Sequence, residues 1–239
     1  MDDHALPNTP VSPRLKGLGG PWQGLADEAF EALVENAAIQ HVDRDSQMAP
    51  VVGIVMSGIL GVARTLSDGR RVYCALFHGG DLVDIRRADR DAQGALTAVT
   101  DVDVVVVDAR QFDHLTETHP ALAQTVIAEL RGHFARLRDH CTDLACKTPV
   151  ERLACALLEF RRWPEAHVED QRDTIRLPIR QSDIADYIGV TPATVSRTVR
   201  KLAEEHLIRL LGRDSVELTD LPALRMLANG GRPRRSTRT

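Results

Sequence analysis

The sequence predicts an α+β fold with an N-terminal β jelly roll, a long helix and a C-terminal winged helix-turn-helix. Three observations support this order. Short apolar segments broken by Gly and Asp occupy residues 39–107, a heptad repeat of apolar residues follows Pro120, and residues 181–200 have the pattern of two helices joined by a sharp turn. With 239 residues, the chain is long enough for two small domains, each with its own core.

Composition excludes several classes of protein. No apolar run approaches the roughly 18 residues that a membrane-spanning helix needs. The N-terminal residues lack the basic-then-apolar order of a secretion signal, so we expect a cytoplasmic protein without membrane contact. The cysteines are few and separated, which argues against a disulfide scaffold and for reduced thiols. They are Cys74, Cys141, Cys146 and Cys155.

Charge is distributed unevenly along the chain. The formal net charge is −4, yet the residues from Pro149 onward hold 16 Lys and Arg against 13 Asp and Glu, a net +3, which leaves −7 for the first 148 residues. Affinity for nucleic acid depends on local rather than total charge. The C-terminal part is therefore the candidate for contact with DNA.

The first half of the chain is predicted to contain an arm and a jelly roll. Residues 1–20 have scattered Pro and Gly with no apolar period, so we expect a flexible arm. Residues 21–118 form the predicted jelly-roll domain, which begins with a short helix near residues 25–37. Its strands are expected at residues 51–56, 60–63, 72–77, 96–99 and 102–107, with turn signals at Ser67-Asp68-Gly69 and Gly79-Gly80-Asp81.

One long helix is predicted over residues 119–147. Its apolar side chains recur at intervals of 3, 4, 3, 4 and 3 residues, which is the seam of a coiled coil. We expect this helix to pair with its twin in a homodimer, and packing of the stripe on the jelly roll is the alternative. The predicted dimer residues are Ile127, Leu130, Phe134, Leu137, Cys141 and Leu144.

Residues 148–229 are predicted to form a winged helix-turn-helix domain. Thr148-Pro149-Val150-Glu151 has the pattern of a capping box that begins a new helix. Within residues 181–200, Gly189 permits the left-handed turn between two helices, and Thr191 followed by Pro192 begins the second helix. Residues 207–218 are expected to form a two-stranded wing. The four Arg residues within residues 230–239 indicate a basic disordered tail.

The second helix of this motif is the predicted recognition helix. Its N-terminal end is expected to meet base edges in the major groove of double-stranded DNA, with Arg197 as the best candidate for two hydrogen bonds to guanine. Arg180, Arg200 and Lys201 are expected to bind phosphates. The full predicted set is Arg180, Thr191, Ala193, Thr194, Ser196, Arg197, Arg200, Lys201 and Arg213.

The whole pattern resembles the CRP/FNR family of transcription regulators, and in particular its FNR and FixK branch, from about residue 22 onward. The resemblance implies a cyclic-nucleotide-binding-like jelly roll, a homodimer on a palindromic operator, and RNA polymerase as a partner. The segments that support it are Glu151-Arg152-Leu153-Ala154, Leu177-Pro178, Asp183-Ile184-Ala185-Asp186-Tyr187-Ile188-Gly189 and Thr194-Val195-Ser196-Arg197, with Ser57-Gly58, Asp68-Gly69 and Gly80-Asp81 in the jelly roll.

This chain departs from the family pattern at several positions. Where the family usually has a Glu that accepts a hydrogen bond from cytosine, this chain has Ala193, so we expect an altered half-site. The residues that hold cyclic nucleotides in relatives correspond here to Asp84-Ile85 and Ala92-Gln93. In the oxygen-sensing relatives, clustered N-terminal cysteines hold an iron-sulfur cluster. This chain has no cysteine before Cys74.

We therefore predict no cofactor or metal, although several alternatives stay open. Arg86, Arg87 and Arg90 leave room for a shifted nucleotide pocket. Haem or nitric-oxide sensing would use His78 or His41, and Cys141 could form a redox disulfide across the dimer. Regulation through protein abundance alone, without an effector, is a further alternative.

Two other classes of function fit the sequence less well than a DNA-binding regulator. An enzyme is disfavoured because the sequence has no Gly-rich phosphate loop, no metal-spaced His and Cys cluster and no nucleophile elbow. A ligand-binding regulatory module without DNA binding would not need the basic face of the second helix. Salt-dependent binding to duplex DNA separates the regulator from the module.

Overall fold

The computed structural model describes residues 22, 25, 27–35, 37–86, 94–168, 173–212 and 214–231. The predicted arm at residues 1–20, Arg213 in the wing, and the tail beyond residue 231 lie outside the described residues. In the part of the chain that is described, even the longest helix, with 27 residues, lacks the apolar stretch needed to cross a bilayer.

Two four-stranded antiparallel sheets face each other in the N-terminal domain. The first has the order β1 (Ala38–Val42), β8 (Val102–Val107), β3 (Val51–Ser57) and β6 (Leu82–Ile85), and the second has the order β2 (Gln47–Met48), β7 (Gly94–Ala98), β4 (Leu60–Thr65) and β5 (Arg71–Phe77). Val55, Leu60, Val83 and Val104 are among the side chains buried between the sheets. The apolar segments predicted from sequence are strands, and β1, β2 and β6 are additional.

Two short helices cover the outer face of the first sheet. These are α1 (Asp27–Val34) and α2 (Ala109–Thr118). The side chain of Asp108 accepts hydrogen bonds from two backbone amides of the first turn of α2, which begins that helix directly after β8. Phe30, Leu33, Ile54, Leu82, Phe112, Leu115 and Leu122 form the buried cluster beneath them.

The long helix α3 (Pro120–Cys146) leads from the jelly roll to the C-terminal domain. With 27 residues it is about 40 Å long. It stops at Lys147, and α4 (Pro149–Phe160) begins one residue after Thr148. The capping box predicted there is confirmed, because the Thr148 amide donates to Glu151 Oε2 at 2.7 Å and the Glu151 amide donates to Thr148 Oγ1 at 3.5 Å.

The C-terminal domain is a winged helix-turn-helix, which confirms the predicted α+β fold. Its helices are α4, α5 (Gln181–Ile188), α6 (Pro192–Glu204) and α7 (Leu221–Ala228). The two strands predicted for the wing are β10 (Ile208–Leu210) and β11 (Ser215–Leu218), which pair with each other, and β9 (Thr174–Arg176) pairs with β11 as a third strand. Helices α5 and α6 separate β9 from β10 in the chain, so the pattern of a local hairpin does not include β9.

One hydrophobic core is shared between the two domains. The outer face of the second jelly-roll sheet contributes Ile59, Tyr73 and Leu76 to the same buried cluster that contains Phe160 and Tyr187 of the C-terminal domain. Helix α5 lies against β5 in this arrangement. The helix-turn-helix is thus packed on the jelly roll of its own chain.

The guanidinium of Arg152 joins the end of α3 to the end of α5. Its Nη2 donates to the Leu144 carbonyl at 2.7 Å, its Nε donates to the Lys147 carbonyl at 2.9 Å, and its Nη1 donates to the Ile188 carbonyl at 3.1 Å. Carbonyl groups in the last turn of a helix have no partner within the helix, and a cation there interacts favourably with the helix dipole. Arg152 therefore sets the angle between the long helix and the helix-turn-helix.

The substitution Arg152→Met is expected to lower the free energy of unfolding by about 2 kcal/mol, since it keeps the aliphatic stem but removes the charged donor from all three carbonyls. Urea denaturation followed by circular dichroism measures the change. The control is Arg162→Met, because Arg162 lies exposed just beyond α4. An equal loss in both variants would contradict the proposed role of Arg152.

Candidate nucleic-acid interface

The turn between α5 and α6 depends on Gly189. Its φ of 66° lies in the left-handed region that glycine adopts without steric cost. A Cβ at this position would also lie only 3.1 Å from Leu144 Cδ2 on the long helix. Glycine therefore suits this position for two reasons: its backbone is left-handed, and a side chain would press against the long helix.

Helix α6 begins as the sequence predicts. Thr191 is its N-cap, with Oγ1 accepting a hydrogen bond from the Thr194 amide at 3.2 Å, and Pro192 follows at the first helical position. Val195, Thr198 and Leu202 are buried on one face of the helix. The opposite face is left for solvent or a partner.

The exposed face of α6 brings together most of the predicted DNA-binding residues. Ala193, Arg197, Arg200 and Lys201 are exposed, whereas Thr194 and Ser196 are half-buried. Arg197 Nη2 donates to Thr194 Oγ1 at 3.1 Å, and neither Arg197 nor Arg200 forms an ion pair with another described residue. Cationic groups without acidic partners, side by side on an exposed helix, are what a phosphate backbone recognises.

Arg180 is placed differently from the other predicted residues. Its guanidinium binds both carboxylate oxygens of Asp45 in the jelly roll, at 3.0 and 2.5 Å, and Nε donates to Asp183 Oδ2 at 2.9 Å. The bound guanidinium holds the pKa of the Asp45 carboxyl below its ordinary value. In this arrangement Arg180 is engaged by two carboxylates of its own chain while its side chain stays 41% exposed, and its contact with a phosphate stays a prediction.

A second arginine, Arg71 of β5, binds the same helix. Its Nη2 donates to Asp183 Oδ1 at 3.1 Å and its Nε donates to Asp186 Oδ2 at 2.7 Å, and the guanidinium lies 4.9 Å from the centre of the Tyr73 ring. Asp183 is fully buried. A buried carboxylate is costly unless cations and hydrogen bonds compensate it, and here Arg71 and Arg180 both do so.

The predicted seam of α3 is largely exposed. The exposed fractions of Ile127, Leu130, Phe134 and Leu137 are 47%, 48%, 68% and 43%, and Cys141 is exposed as well. Leu144 is the exception, because it is half-buried and packs toward Gly189 of the turn. Five of the six predicted residues therefore form one apolar stripe on the surface.

Another face of α3 contacts α5 through stacked aromatic rings, next to a buried acid of α4. The rings of His140 and Tyr187 stack with centroids 4.3 Å apart, and the Tyr187 hydroxyl donates to Glu159 Oε2 at 2.8 Å. Burial raises the pKa of Glu159, although the hydrogen bond from Tyr187 opposes that rise. Burial likewise raises the pKa of Tyr187. The contact holds α5 against the long helix.

Comparison with known proteins identifies the family. A model of the Crp-like helix-turn-helix domain matches residues 151–227. The nitrogen fixation regulation protein FixK of Rhizobium meliloti is 30% identical over 175 residues, which cover 73% of this chain and 77% of that protein. This chain belongs to the CRP/FNR family. FixK of Azorhizobium caulinodans is 28% identical over 227 residues, 94% of this chain and 91% of the relative.

The fold agrees with this assignment to the CRP/FNR family. The structure of FixK2 from Bradyrhizobium japonicum covers 80% of this chain and 96% of its own, with a TM-score of 0.70 and 27% identity. The chain is therefore a DNA-binding transcription regulator, as the helix-turn-helix pattern predicted. Members of this family are transcription regulators rather than enzymes.

Arg86, which the sequence left open as part of a shifted nucleotide pocket, has carboxylate partners in this CRP/FNR chain. Arg86 binds Asp84 through two hydrogen bonds of 2.7 and 2.9 Å, and its Nη1 binds both carboxylate oxygens of Asp113 at 2.7 and 2.8 Å. Arg86 is thus already engaged by carboxylates. The remaining residues of the expected pocket, Arg87, Arg90, Ala92 and Gln93, lie outside the described residues.

The two histidines that the haem alternative named have other partners. His41 Nδ1 lies 2.8 Å from Asp103 Oδ1, and that hydrogen bond raises the pKa of His41. The His78 ring lies 5.3 Å from the ring of Trp163, and its Nδ1 lies 3.1 Å from the Gly79 carbonyl. Both hydrogen-bond contacts use Nδ1, and a histidine that binds a metal through Nε2 keeps such a contact, so the haem alternative stays a prediction.

Sequence reasoning missed the residues that join the two domains. Asp45 and Arg71 lie in the jelly roll, 135 and 112 residues before the residues that they bind, Arg180 and Asp183. No local pattern distinguishes these charges from other surface charges. The one signal was an acidic pair, Asp183 and Asp186, three residues apart on the first helix of a motif that binds a polyanion.

The substitution Arg71→Met is expected to lower the free energy of unfolding by about 2 kcal/mol, because it removes one of the two cations that compensate the buried Asp183. It should also increase cleavage between the domains in limited proteolysis. The matched control is Arg70→Met, since Arg70 is 77% exposed and binds only the neighbouring Asp68 among the described residues. Identical stability of the two variants would refute the importance of this contact.

Proposed function

We propose that this regulator acts as a homodimer that places two α6 helices in successive major grooves of a two-fold symmetric operator, about 34 Å apart. The observation that supports it is the exposed face of α6, where Arg197 and Arg200 have no acidic partner among the described residues. Membership of a DNA-binding family indicates that the partner is DNA, and the exposed face of α6 is the proposed contact surface.

Arg197 is the residue that we assign to base recognition. It projects from the second turn of α6, and its contact with Thr194 Oγ1 is with a neutral hydroxyl that exchanges easily for a base. A planar guanidinium can donate two hydrogen bonds to O6 and N7 of guanine. Thr191, Thr194 and Ser196 surround it as further donors, and Arg200 and Lys201 follow toward the C-terminus of α6 as phosphate contacts.

Ala193 changes the base preference in this proposal. It is exposed in the first turn of α6, where a methyl group can contact the methyl of thymine but cannot accept a hydrogen bond from cytosine. We therefore propose a half-site that differs from the family pattern at one base pair. Selection of bound sequences from a random duplex library reveals that position directly.

The exposed apolar stripe of α3 is the interface of the proposed dimer. Large apolar side chains from Ile127 to Leu137 are nearly half exposed or more, which costs hydrophobic free energy in a monomer. A twin helix would bury them with the 3.5-residue period of a coiled coil. Because α3 ends beside the turn of the helix-turn-helix, such a dimer would also determine the distance between the two α6 helices.

The contact between α5 and the jelly roll suggests how DNA affinity is controlled. Arg180 binds Asp45 here, so a phosphate has to compete with this carboxylate for the guanidinium while the helix-turn-helix packs on the jelly roll. A signal that favours the free arrangement would then raise DNA affinity by population shift. RNA polymerase is the partner that we expect at the promoter, since the family consists of transcription regulators.

The substitution Arg197→Ala is expected to weaken binding to the selected operator by about 1 to 3 kcal/mol and to relax discrimination at one base pair of each half-site. Arg200→Ala should instead weaken all sequences alike and reduce the slope of log K against log salt by about 1. Fluorescence anisotropy with the operator and its single-base variants measures both.

The control for these variants is Arg225→Ala, an exposed position on α7 away from the recognition face, which should leave DNA affinity unchanged. If Arg197→Ala behaved like Arg200→Ala on every sequence, Arg197 would be a phosphate contact and the assignment to base recognition would be wrong.

The substitution Phe134→Glu is expected to convert the dimer into a monomer, because it brings two carboxylates together at the centre of the seam. The side chain is 68% exposed, so the change has little cost within one chain. Light scattering measures the mass in solution. The control is Ala128→Glu on the same helix, which is exposed away from the seam and should leave the dimer intact. A dimeric Phe134→Glu would exclude this stripe as the interface.

A further inference from the structure

A cluster of ionisable side chains lies where the jelly roll meets the middle of α3, outside the DNA-binding surface. Asp81 comes from the turn between β5 and β6, and its side chain is 5% exposed. Glu129 and His133 lie four residues apart on α3, and their side chains are 13% and 18% exposed. Two residues at this spacing share one face of a helix, so both point toward Asp81.

The distances within this cluster are longer than hydrogen bonds. His133 Nε2 lies 3.5 Å from Asp81 Oδ1 and 3.7 Å from Glu129 Oε2, and the three ligating atoms all lie within 4.8 Å of one another. Nε2 is buried and has no hydrogen-bond partner among the described residues. The two carboxylates lie at ion-pair distance from Nε2 without forming a hydrogen bond to it, and a buried polar atom that lacks a hydrogen bond calls for an explanation.

These distances match the spacing of ligands around a small metal ion. Atoms that bind zinc tetrahedrally at about 2.1 Å lie about 3.4 Å from one another. The two distances from His133 Nε2, 3.5 and 3.7 Å, are close to that value. One imidazole nitrogen and two carboxylate oxygens form a donor set that divalent transition metals accept.

The surroundings hold Asp81 in position for such a role. Its Oδ2 accepts from the His78 amide at 3.0 Å, and its Oδ1 accepts from Arg136 Nη2 at 2.9 Å. A carboxylate offers about four lone pairs, so these contacts leave Oδ1 able to bind an ion as well. Partners of this kind orient the ligands of metal sites. Glu165, whose Oε1 accepts from the Gly79 amide, adds a further carboxylate beside the turn.

We propose that Asp81, Glu129 and His133 bind a divalent transition metal ion, zinc by the spacing of their ligating atoms. Three protein ligands leave a position for water or another ligand, which is typical of exchangeable rather than purely structural sites. This proposal departs from the sequence-based expectation that the chain binds no metal. No local spacing indicates the site, because Asp81 lies 48 and 52 positions from its partners.

The ion would join the jelly roll to α3, the helix that has the dimer seam on its surface and leads to the helix-turn-helix. It would pull the turn at Asp81 toward α3 and hold the helix in one position relative to the sheets. A ligand that binds one arrangement better than another shifts the equilibrium toward it. The metal would thus affect DNA affinity, and this regulatory half of the proposal rests on the proposed function.

Cobalt titration of the full-length protein, first stripped of metal with a chelator, tests the site. We expect one equivalent of Co²⁺ to bind with visible d–d absorption and to be displaced by Zn²⁺. His133→Gln and Glu129→Gln should each weaken this binding by about tenfold or more, since even outer partners of a metal ligand contribute about 10- to 100-fold to affinity. Circular dichroism confirms folding, and Glu129→Gln decides the result if His133→Gln does not fold.

The control is His114→Gln, an exposed histidine on α2, which should bind cobalt as the wild type does. Absence of saturable binding, equal affinity in wild type and both cluster variants, or cobalt absorption typical of thiolate ligands alone would overturn the site. The last outcome would mean that the exposed Cys141 and Cys146 bind the ion instead.

DNA affinity measured with and without Zn²⁺ tests the regulatory half separately. We expect a change of about fivefold or more in the wild type and none in Glu129→Gln. Metal binding with unchanged DNA affinity would support the metal site and contradict its regulatory role. Metal binding by a protein that binds no duplex DNA at any salt concentration would instead refute the proposed function and leave the metal site standing.

Discussion

The guanidinium of Arg152 satisfies carbonyl groups at the ends of two helices, and the arrangement of the C-terminal half depends on it. The carbonyls of Leu144 and Lys147 close α3, and the carbonyl of Ile188 closes α5. A single rigid fork of donors can meet all three only at one angle between the helices. The positions of Gly189, of α6 and of the contact between α5 and the jelly roll follow from that angle.

Apolar burial and ion pairs together join the two domains. Side chains of the jelly roll share one hydrophobic core with the winged helix-turn-helix, and Arg71, Arg180 and Asp45 add ion pairs with the acids of α5. The pair of Arg180 with Asp45 is partly exposed and is screened by salt, whereas Asp183 is fully buried and needs its cations. The contact between the domains therefore depends on ionic strength only in part.

Helix α3 performs three tasks on two faces. One face has the exposed seam from Ile127 to Cys141. The other face directs Glu129 and His133 toward Asp81 and, two turns further on, packs His140 on Tyr187. Since a helix is stiff along its length, a shift imposed on one face moves the other. This geometry connects the turn of the jelly roll to the dimer seam and to the helix-turn-helix.

Local patterns in the sequence were enough for the fold and for the recognition helix. The capping box at Thr148, the left-handed Gly189 and the N-cap Thr191 act within a few residues, so they can be recognised without a structure. Tertiary structure alone decided that Arg180 binds Asp45, that Leu144 turns toward Gly189, and that Asp81 meets His133. Each of these contacts joins segments distant in the chain, or depends on how such segments pack, and no periodicity in the sequence encodes the relative position of two packed surfaces.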